Sequence, residues 1–265
     1  MATITLLFFG DVVGGIGRKA IAKALPGLRA IWKPDVVVAN VENLAHGRGM
    51  TPKTLGELRG AGVDAFTGGN HTWHNPLGSA CLDAPEYAGR IVRPANITQA
   101  REGVGSVVIE VGGAKIQILN FLGSLLMKDE VENPFRAFDR LRDASADLAI
   151  VDLHAETTSE KEAFGHYVDG RAAAVLGTHT HVPTADAKIL PGGTAYITDV
   201  GRNGGRDTVV GFTKDEAVKR FLGPGAKAYD PPERGEADVN AVAITLDPQA
   251  RKAVAIHKIH EIVVV

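Results

Sequence analysis

Stretches of this chain that read as buried strands stop at small polar or imidazole groups. TITLLFF runs into Gly10-Asp11, VVVA into Asn40-Val41-Glu42-Asn43, DAFTG into Gly69-Asn70-His71, LAIVDL into His154, and AAAVLGT into His179-Thr180-His181. Aspartate, glutamate, asparagine and histidine are metal-ligand side chains. In an open α/β sheet the carboxyl ends of the strands are where sites are built, so these clusters are expected to converge on one crevice and hold metal. Oxygen and nitrogen donors without sulfur suit iron, manganese or zinc better than copper(I). Two such cations about 3.5–4 Å apart, sharing a carboxylate, lower the pKa of a bound water and clamp phosphoryl oxygens, which points to phosphoester hydrolysis. Glu42 is a candidate bridge. His179 and His181 alternate, and on an extended segment they would point the same way and reach one centre.

The elements that must position these groups alternate between strand and helix. Strand Thr3–Phe9 enters a glycine turn, and apolar spacing through Ile21, Leu25 and Leu28 predicts a helix ending before Pro34. Val36–Val38 forms the next strand. Thr51-Pro52 predicts a second helix, with threonine as cap and proline at its first position, ending near Gly60 to Gly62. SVVIEV and AKIQILNF flank Gly112-Gly113, a hairpin signal. Leu148–Leu153 is an apolar strand, followed by a capping box at Thr157-Thr158-Ser159-Glu160. A hairpin around Pro191-Gly192-Gly193, a helix from Asp215 to Leu222, and closing strands VNAVAITL and KAVAIHKIHEI turning at Asp247-Pro248 complete the chain. This order of βαβ units and antiparallel hairpins, repeated, fits two sheets packed face to face with helices outside. With no linker in sight, residues 1–265 read as one domain, and Gly223–Gly235 as a long surface loop.

Composition excludes several classes. A net charge of −2 gives no long-range attraction for nucleic acid or anionic membrane, and 45% hydrophobic residues over 265 positions supply a large core. No apolar run is long enough to span a bilayer, and the N-terminal run lacks a basic leader. The one cysteine, Cys81, precludes an internal disulfide, and the expected location is cytoplasmic. There is no Gly-x-Ser-x-Gly elbow and no His-Glu-x-x-His, so a water nucleophile is simpler than a protein one.

Gly10-Asp11-Val12-Val13-Gly14, Val41-Glu42-Asn43, Gly69-Asn70-His71-Thr72-Trp73, Asp152-Leu153-His154-Ala155-Glu156 and Gly177-Thr178-His179-Thr180-His181 occur in that order along the chain. With Arg93-Pro94-Ala95-Asn96 and the run from Ile189 through Asp199-Val200-Gly201, they resemble the YmdB-like branch of the calcineurin-like metallophosphoesterases. The resemblance implies a four-layer αββα sandwich of two mixed β-sheets flanked by helices. It also implies a dinuclear centre of iron or manganese, and hydrolysis of phosphodiesters, including cyclic nucleotides such as 2′,3′-cyclic AMP. On its terms Glu42 bridges, Asp11, Asn43 and His181 complete one ion, and Asn70, His154 and His179 complete the other. A metal-bridging hydroxide is then the nucleophile, and His71 donates a proton to the leaving oxygen. Asn43 stands in for the histidine that the usual Asp-x-His opening would supply. His74, Ser124 and the Arg202-Asn203-Gly204-Gly205-Arg206 segment depart from the family's pattern, and Arg202 and Arg206 are candidates to shape the specificity pocket.

Other readings use the same residues. Gly15-Ile16-Gly17-Arg18-Lys19-Ala20 matches Gly-x-Gly-x-x-Ala between a strand and a helix, with Glu42 placed as a ribose-binding acid, as in a dinucleotide-binding domain. That reading leaves Asn70, His154, His179 and His181 without a role. A metal-stabilised protein that binds a cyclic nucleotide or a protein partner with little turnover is a further alternative. His46, His166, His257 and His260 lie outside the metal set and are expected to be structural or exposed. Trp73 is expected to stack a nucleobase or to pack under its loop. The expected partner is a small-molecule phosphodiester; subunit number is left open, a homo-oligomer being compatible.

Overall fold

In the computed structural model, residues 2–99, 101–224 and 230–265 are described. The first half contains β1 (Ile4–Asp11), α1 (Gly14–Trp32), β2 (Val36–Asn40), α2 (Pro52–Ala61), β3 (Ala65–Thr67), α3 (Pro76–Cys81), β4 (Ile91–Val92), β5 (Ser106–Val111) and β6 (Ala114–Leu122). Next come α4 (Pro134–Leu141), β7 (Leu148–His154), α5 (Thr158–Val168), β8 (Ala174–Thr178), β9 (Lys188–Ile189) and β10 (Ala195–Ile197). The remainder is β11 (Gly204–Gly205), β12 (Thr208–Val209), β13 (Phe212–Thr213), α6 (Lys214–Leu222), β14 (Glu236–Asp247) and β15 (Lys252–Val264). The surface loop expected at Gly223–Gly235 lies partly outside the described residues.

Two mixed sheets form the centre. One runs β11-β14-β1-β2-β3-β4, with β15 also paired to β14; the other runs β5-β6-β7-β8-β10-β9. Strands β1 to β4 are mutually parallel, as are β6, β7, β8 and β10, while the hairpin strands are antiparallel.

Period-two alternation builds the layers. Leu6 and Phe8 of β1 pack with Ile118 of β6, Ile150 of β7 and Leu176 of β8 in the inter-sheet core. Leu7 and Phe9 point the other way, onto Ile21, Leu25 and Leu28 of α1 and Leu55 and Leu58 of α2. On the far side, Val151 and Leu153 of β7 meet Phe138 of α4 and Phe164 of α5. Helix, sheet, sheet and helix give the expected four layers. Strands buried on both faces are mostly apolar until they leave the core, with Asp152 in β7 and Gln117 and Asn120 in β6 as buried polar interruptions, so the apolar runs end where the chemistry begins.

Local signals at helix ends were partly overridden. Thr51 caps α2 with the reciprocal Thr54 bonds of a capping box, and Gly62 closes it in a left-handed conformation. The box expected at Thr157 does not form: Thr157 makes no side-chain cap. Glu160 is instead buried and accepts from the Ser124 backbone N–H (2.8 Å) and hydroxyl (2.7 Å) and from the Leu125 N–H (3.2 Å). A tertiary demand for three acceptors at that loop outcompetes the local cap. Helix α1 begins at Gly14, earlier than its apolar spacing suggests, because the Gly14 N–H is satisfied by the Asn43 carbonyl at 3.0 Å.

Candidate metal centre

A register shift separates Phe9 from Asp11 in the β1–β2 pairing. Such irregularities re-aim side chains: Asp11 faces His154 and His181 rather than the helix layer of Leu7 and Phe9. Its carboxylate is fully buried, 3.7 Å from His154 Nδ1 and 3.8 Å from His181 Nε2, and accepts from the His179 backbone N–H. Asn43 Oδ1 lies 3.3 Å from the same His181 nitrogen, while Asn43 Nδ2 donates to the Gly47 carbonyl and so turns its oxygen inward.

A second group closes on His154 Nε2. Asn70 Oδ1 and His179 Nδ1 each lie 3.0 Å from it, and Glu42 Oε2 lies 3.2 Å away. Three acceptors converging on one imidazole nitrogen make a cation-shaped site. Glu42, His154 and His179 place their ligand atoms within 4.8 Å of one another. Gly69 makes room for this group: a Cβ there would stand 2.2 Å from Glu42 Oε2 and 2.6 Å from His154 Nε2. The donors fit first-row transition ions, with imidazole, carboxylate and amide oxygen in one buried group.

Each histidine is oriented by its other nitrogen, as metal-ligating imidazoles commonly are. His154 Nδ1 lies 2.9 Å from the Thr178 hydroxyl, which donates to Asp152 Oδ1 at 2.6 Å, so Nδ1 is the donor and Nε2 faces the cluster. His181 Nδ1 is held by the Val210 carbonyl at 2.7 Å. His179 Nε2 lies 3.1 Å from Glu156, which leaves Nδ1 for the site. Asp152 also accepts from Asn40 and Thr67 across the gap between sheets, at 2.9 and 2.5 Å.

His179 and His181 reach their places differently from the expected extended segment. Strand β8 ends at Thr178, and both histidines have positive φ, 95° and 67°. The turn sends His179 to the Glu42 group and His181 to the Asp11 group. Conformations of this kind cost about 1–3 kcal/mol each and persist only when their surroundings enforce them. A fully buried ion pair does so: Lys161 Nζ donates to Asp199 Oδ2 at 2.8 Å and to the Thr178 carbonyl at 2.7 Å. Asp199 Oδ2 also accepts from the Thr180 backbone N–H and hydroxyl.

Burial and the opposed charges of carboxylates and imidazoles set the protonation of these groups. Burial raises the Asp11 carboxyl, with His181 and His154 acting against it. Burial acts on Glu42 in the same direction, but His154 and the His71 N–H outweigh it and hold Glu42 well below the usual carboxylate range. Burial disfavours charge on His154, yet Glu42, Asp11 and Asp152 overcome it and carry its pKa to about 9. Burial and the neighbouring His154 lower His179 to about 3. Below that pKa His154 carries a proton within the group of Glu42, His154 and His179 that could hold a metal ion. Because that pKa is raised above 6.5, the proton's contribution to stability is complete below pH 6.5 and disappears as pH rises through about 9. Metal binding displaces the same proton, so affinity increases over this window. Thermal unfolding from pH 6.5 to 9 is therefore expected to show a falling midpoint with chelator and a widening gap between metal-loaded and chelated protein.

His71 borders the cleft beside both groups. Its backbone N–H donates to Glu42 Oε2 at 2.8 Å, and burial lowers its imidazole pKa, with Arg48 adding to the effect and Glu42 opposing it. The cleft has a volume of 360 Å³ and is walled by Glu42, Asn43, Arg48, His71, His179 and His181 among others. Asp11, Glu42, Asn43, Asn70, His71, His154, His179 and His181 thus lie together here.

Arg202 and Arg206 do not. Arg202 is largely buried and braces the chain by donating to the Gly205 carbonyl and the Thr208 hydroxyl, and Arg206 pairs with Asp238 at 3.3 Å; neither lines the cleft. The dinucleotide reading also fails on geometry. A Cβ at Gly17 would stand 2.3 Å from the Asn203 carbonyl oxygen and one at Gly15 2.7 Å from Glu233, so these glycines seat protein, not a pyrophosphate. The sequence motifs contain Asp152, Glu156 and Asp199 but assign them no role, and Lys161 falls in none of them. Asp152 left one signal, a carboxylate inside an otherwise apolar strand.

Comparison with known proteins agrees with the geometry. Residues 7–259 match the family described as YmdB-like protein. The chain belongs to the YmdB-like family. The 2′,3′-cyclic-nucleotide 2′-phosphodiesterase of Bacillus subtilis (strain 168) is 40% identical over 257 residues, 96% of each chain. The crystal structure of a novel phosphatase from Mycoplasma pneumoniae superposes with a TM-score of 0.92 at 37% identity, covering 99% of this chain and 94% of that one. The NAD nucleotidase of Haemophilus influenzae shares the fold at 13% identity (TM-score 0.59, 99% of this chain and 50% of that one). This YmdB-like chain is a hydrolase with the metallophosphoesterase architecture. Among its described residues no helix is long and apolar enough to cross a membrane.

Proposed function

We propose that this YmdB-like chain is a cytoplasmic, metal-dependent phosphodiesterase acting on cyclic nucleotides such as 2′,3′-cyclic AMP. The observation that carries the reading is the convergence of Glu42, Asn70 and His179 on His154 Nε2, at the floor of a cleft walled by His71 and Arg48. Glu42, Asn70, His154 and His179 would hold one ion; Asp11, Asn43 and His181 would hold a second, with Glu42 shared. The chemistry that iron, manganese or zinc would supply when bound there is an activated water and polarisation of the phosphoryl oxygens.

The chain's own residues do the rest. Asn43 and Asn70 are neutral donors, so the centre keeps more positive charge for an anionic ester than an all-carboxylate shell would leave it. Arg48 adds a guanidinium to the cleft wall, suited to a phosphoryl oxygen. His71 protonates the departing oxygen. Its pKa is depressed in the free protein, and the negative charge of a bound phosphodiester acts to raise it toward protonation as substrate arrives.

Hydrolysis of 2′,3′-cyclic AMP is expected to cease on chelation and to return with Mn²⁺ or Fe²⁺. Failure of the reconstituted protein to hydrolyse any phosphodiester would reject the reading.

A further inference from the structure

A second cavity, of 420 Å³, adjoins the metal centre through Asn70 and includes Trp73, His74, Arg101, Lys128 and Asp129 in its wall. Its wall takes Asn70, Trp73 and His74 from the same segment that gives His71 to the catalytic cleft, and the His71 and His74 rings meet edge-on with centroids 5.8 Å apart. We propose that this cavity is the subsite for the nucleoside carried by the phosphodiester. The inference rests on the phosphodiesterase reading, in which His71 protonates the leaving oxygen. In a 2′,3′-cyclic nucleotide that oxygen belongs to the ribose, so the nucleoside must continue from the phosphorus past His71, toward His74 and this cavity.

The wall has the chemistry of a nucleoside site rather than a second phosphate site. Its cations, Arg101 and Lys128, are matched by Asp129 and Glu130, so it offers no excess positive charge. Among the described residues neither Lys128 nor Asp129 has a side-chain hydrogen bond or ion pair. Both a donor and an acceptor are therefore free for ribose hydroxyls and base edges. Arg101 lies over the Trp73 ring, 5.1 Å from its centroid, and the Trp73 Nε1–H is buried without a partner. Guanidinium and indole planes are the surfaces on which bases stack. The volume falls in the range of about 300–1,000 Å³ usual for small-ligand pockets.

Adenosine, which carries no phosphate, isolates the subsite from the chemistry. Trp32 and Trp73 are the two tryptophans, so a Trp32→Phe background makes Trp73 the fluorescent reporter. Adenosine is expected to quench it saturably, and Arg101→Gln or Asp129→Asn to weaken that binding about tenfold, the effect of one good hydrogen bond or stacking contact. In the same variants the ratio of kcat/KM for 2′,3′-cyclic AMP to that for methyl p-nitrophenyl phosphate is expected to fall by a similar factor. Absence of saturable quenching, or quenching and substrate ratio unchanged in both variants, overturns the subsite. Adenosine binding that responds to these variants in a protein that hydrolyses no diester upholds the subsite and rejects the phosphodiesterase reading alone.

Discussion

Replacing His71 with alanine is expected to lower kcat for 2′,3′-cyclic AMP by about 10²–10⁴, the usual worth of a positioned general acid. The loss should depend on the leaving group. A ribose alkoxide is a poor leaving group and needs a proton as the P–O bond breaks; p-nitrophenolate departs without one. With bis(p-nitrophenyl) phosphate the same variant should therefore lose far less. Metal content should be retained, because the contact of His71 with Glu42 is a backbone N–H that alanine also possesses. Equal losses on both substrates would remove His71 from the proton-donor role and leave it as a wall of the cleft.

Lys161→Met is expected to destabilise the protein by about 3–5 kcal/mol, the cost of leaving a buried charge without its partner. Methionine fills the volume of the lysine stem, so the loss reports the charge and not a cavity. Asp199 would then keep only hydrogen bonds from the segment it organises, including those from Thr180 and Gly201. The segment most affected is the one that holds His179 and His181 at positive φ. Weakened metal binding should accompany the fall in stability. Urea unfolding of the chelated protein measures the first effect, and competition with a chromophoric chelator measures the second. A wild-type unfolding midpoint in the variant would show that the pair does not hold this turn.

The position of the site was legible because the parallel strands are predominantly apolar and most of them end on a polar or imidazole residue as they leave the core. Asp11, Asn40, Thr67, His154 and Thr178 are the last residues of β1, β2, β3, β7 and β8, and all lie at or beside the centre. The hairpin at Gly112-Gly113 and the cap at Thr51 were legible because their signals are local. What escaped depends on partners remote in sequence. Glu160 satisfies the loop at Ser124 instead of its own helix start, and Lys161 finds Asp199 thirty-eight positions away. The turn that separates His179 from His181 could not be read from alternation, because nothing in Thr178-His179-Thr180-His181 announces positive φ in non-glycine residues. Arg202 and Arg206 looked like specificity residues by position, yet their ion pairs with Asp238 turn them to structural work.

On the proposed function, these strand ends hold a pair of metal ions that the chemistry requires. Elemental analysis of the purified wild type and of an Asp11→Ala, Glu42→Ala double variant, each assayed for hydrolysis of 2′,3′-cyclic AMP, tests it most directly. About two transition-metal ions per chain are expected in the wild type, with loss of both metal and activity in the double variant. A double variant that keeps wild-type turnover, or a metal-free wild type that hydrolyses the diester at an undiminished rate in chelator, would contradict it.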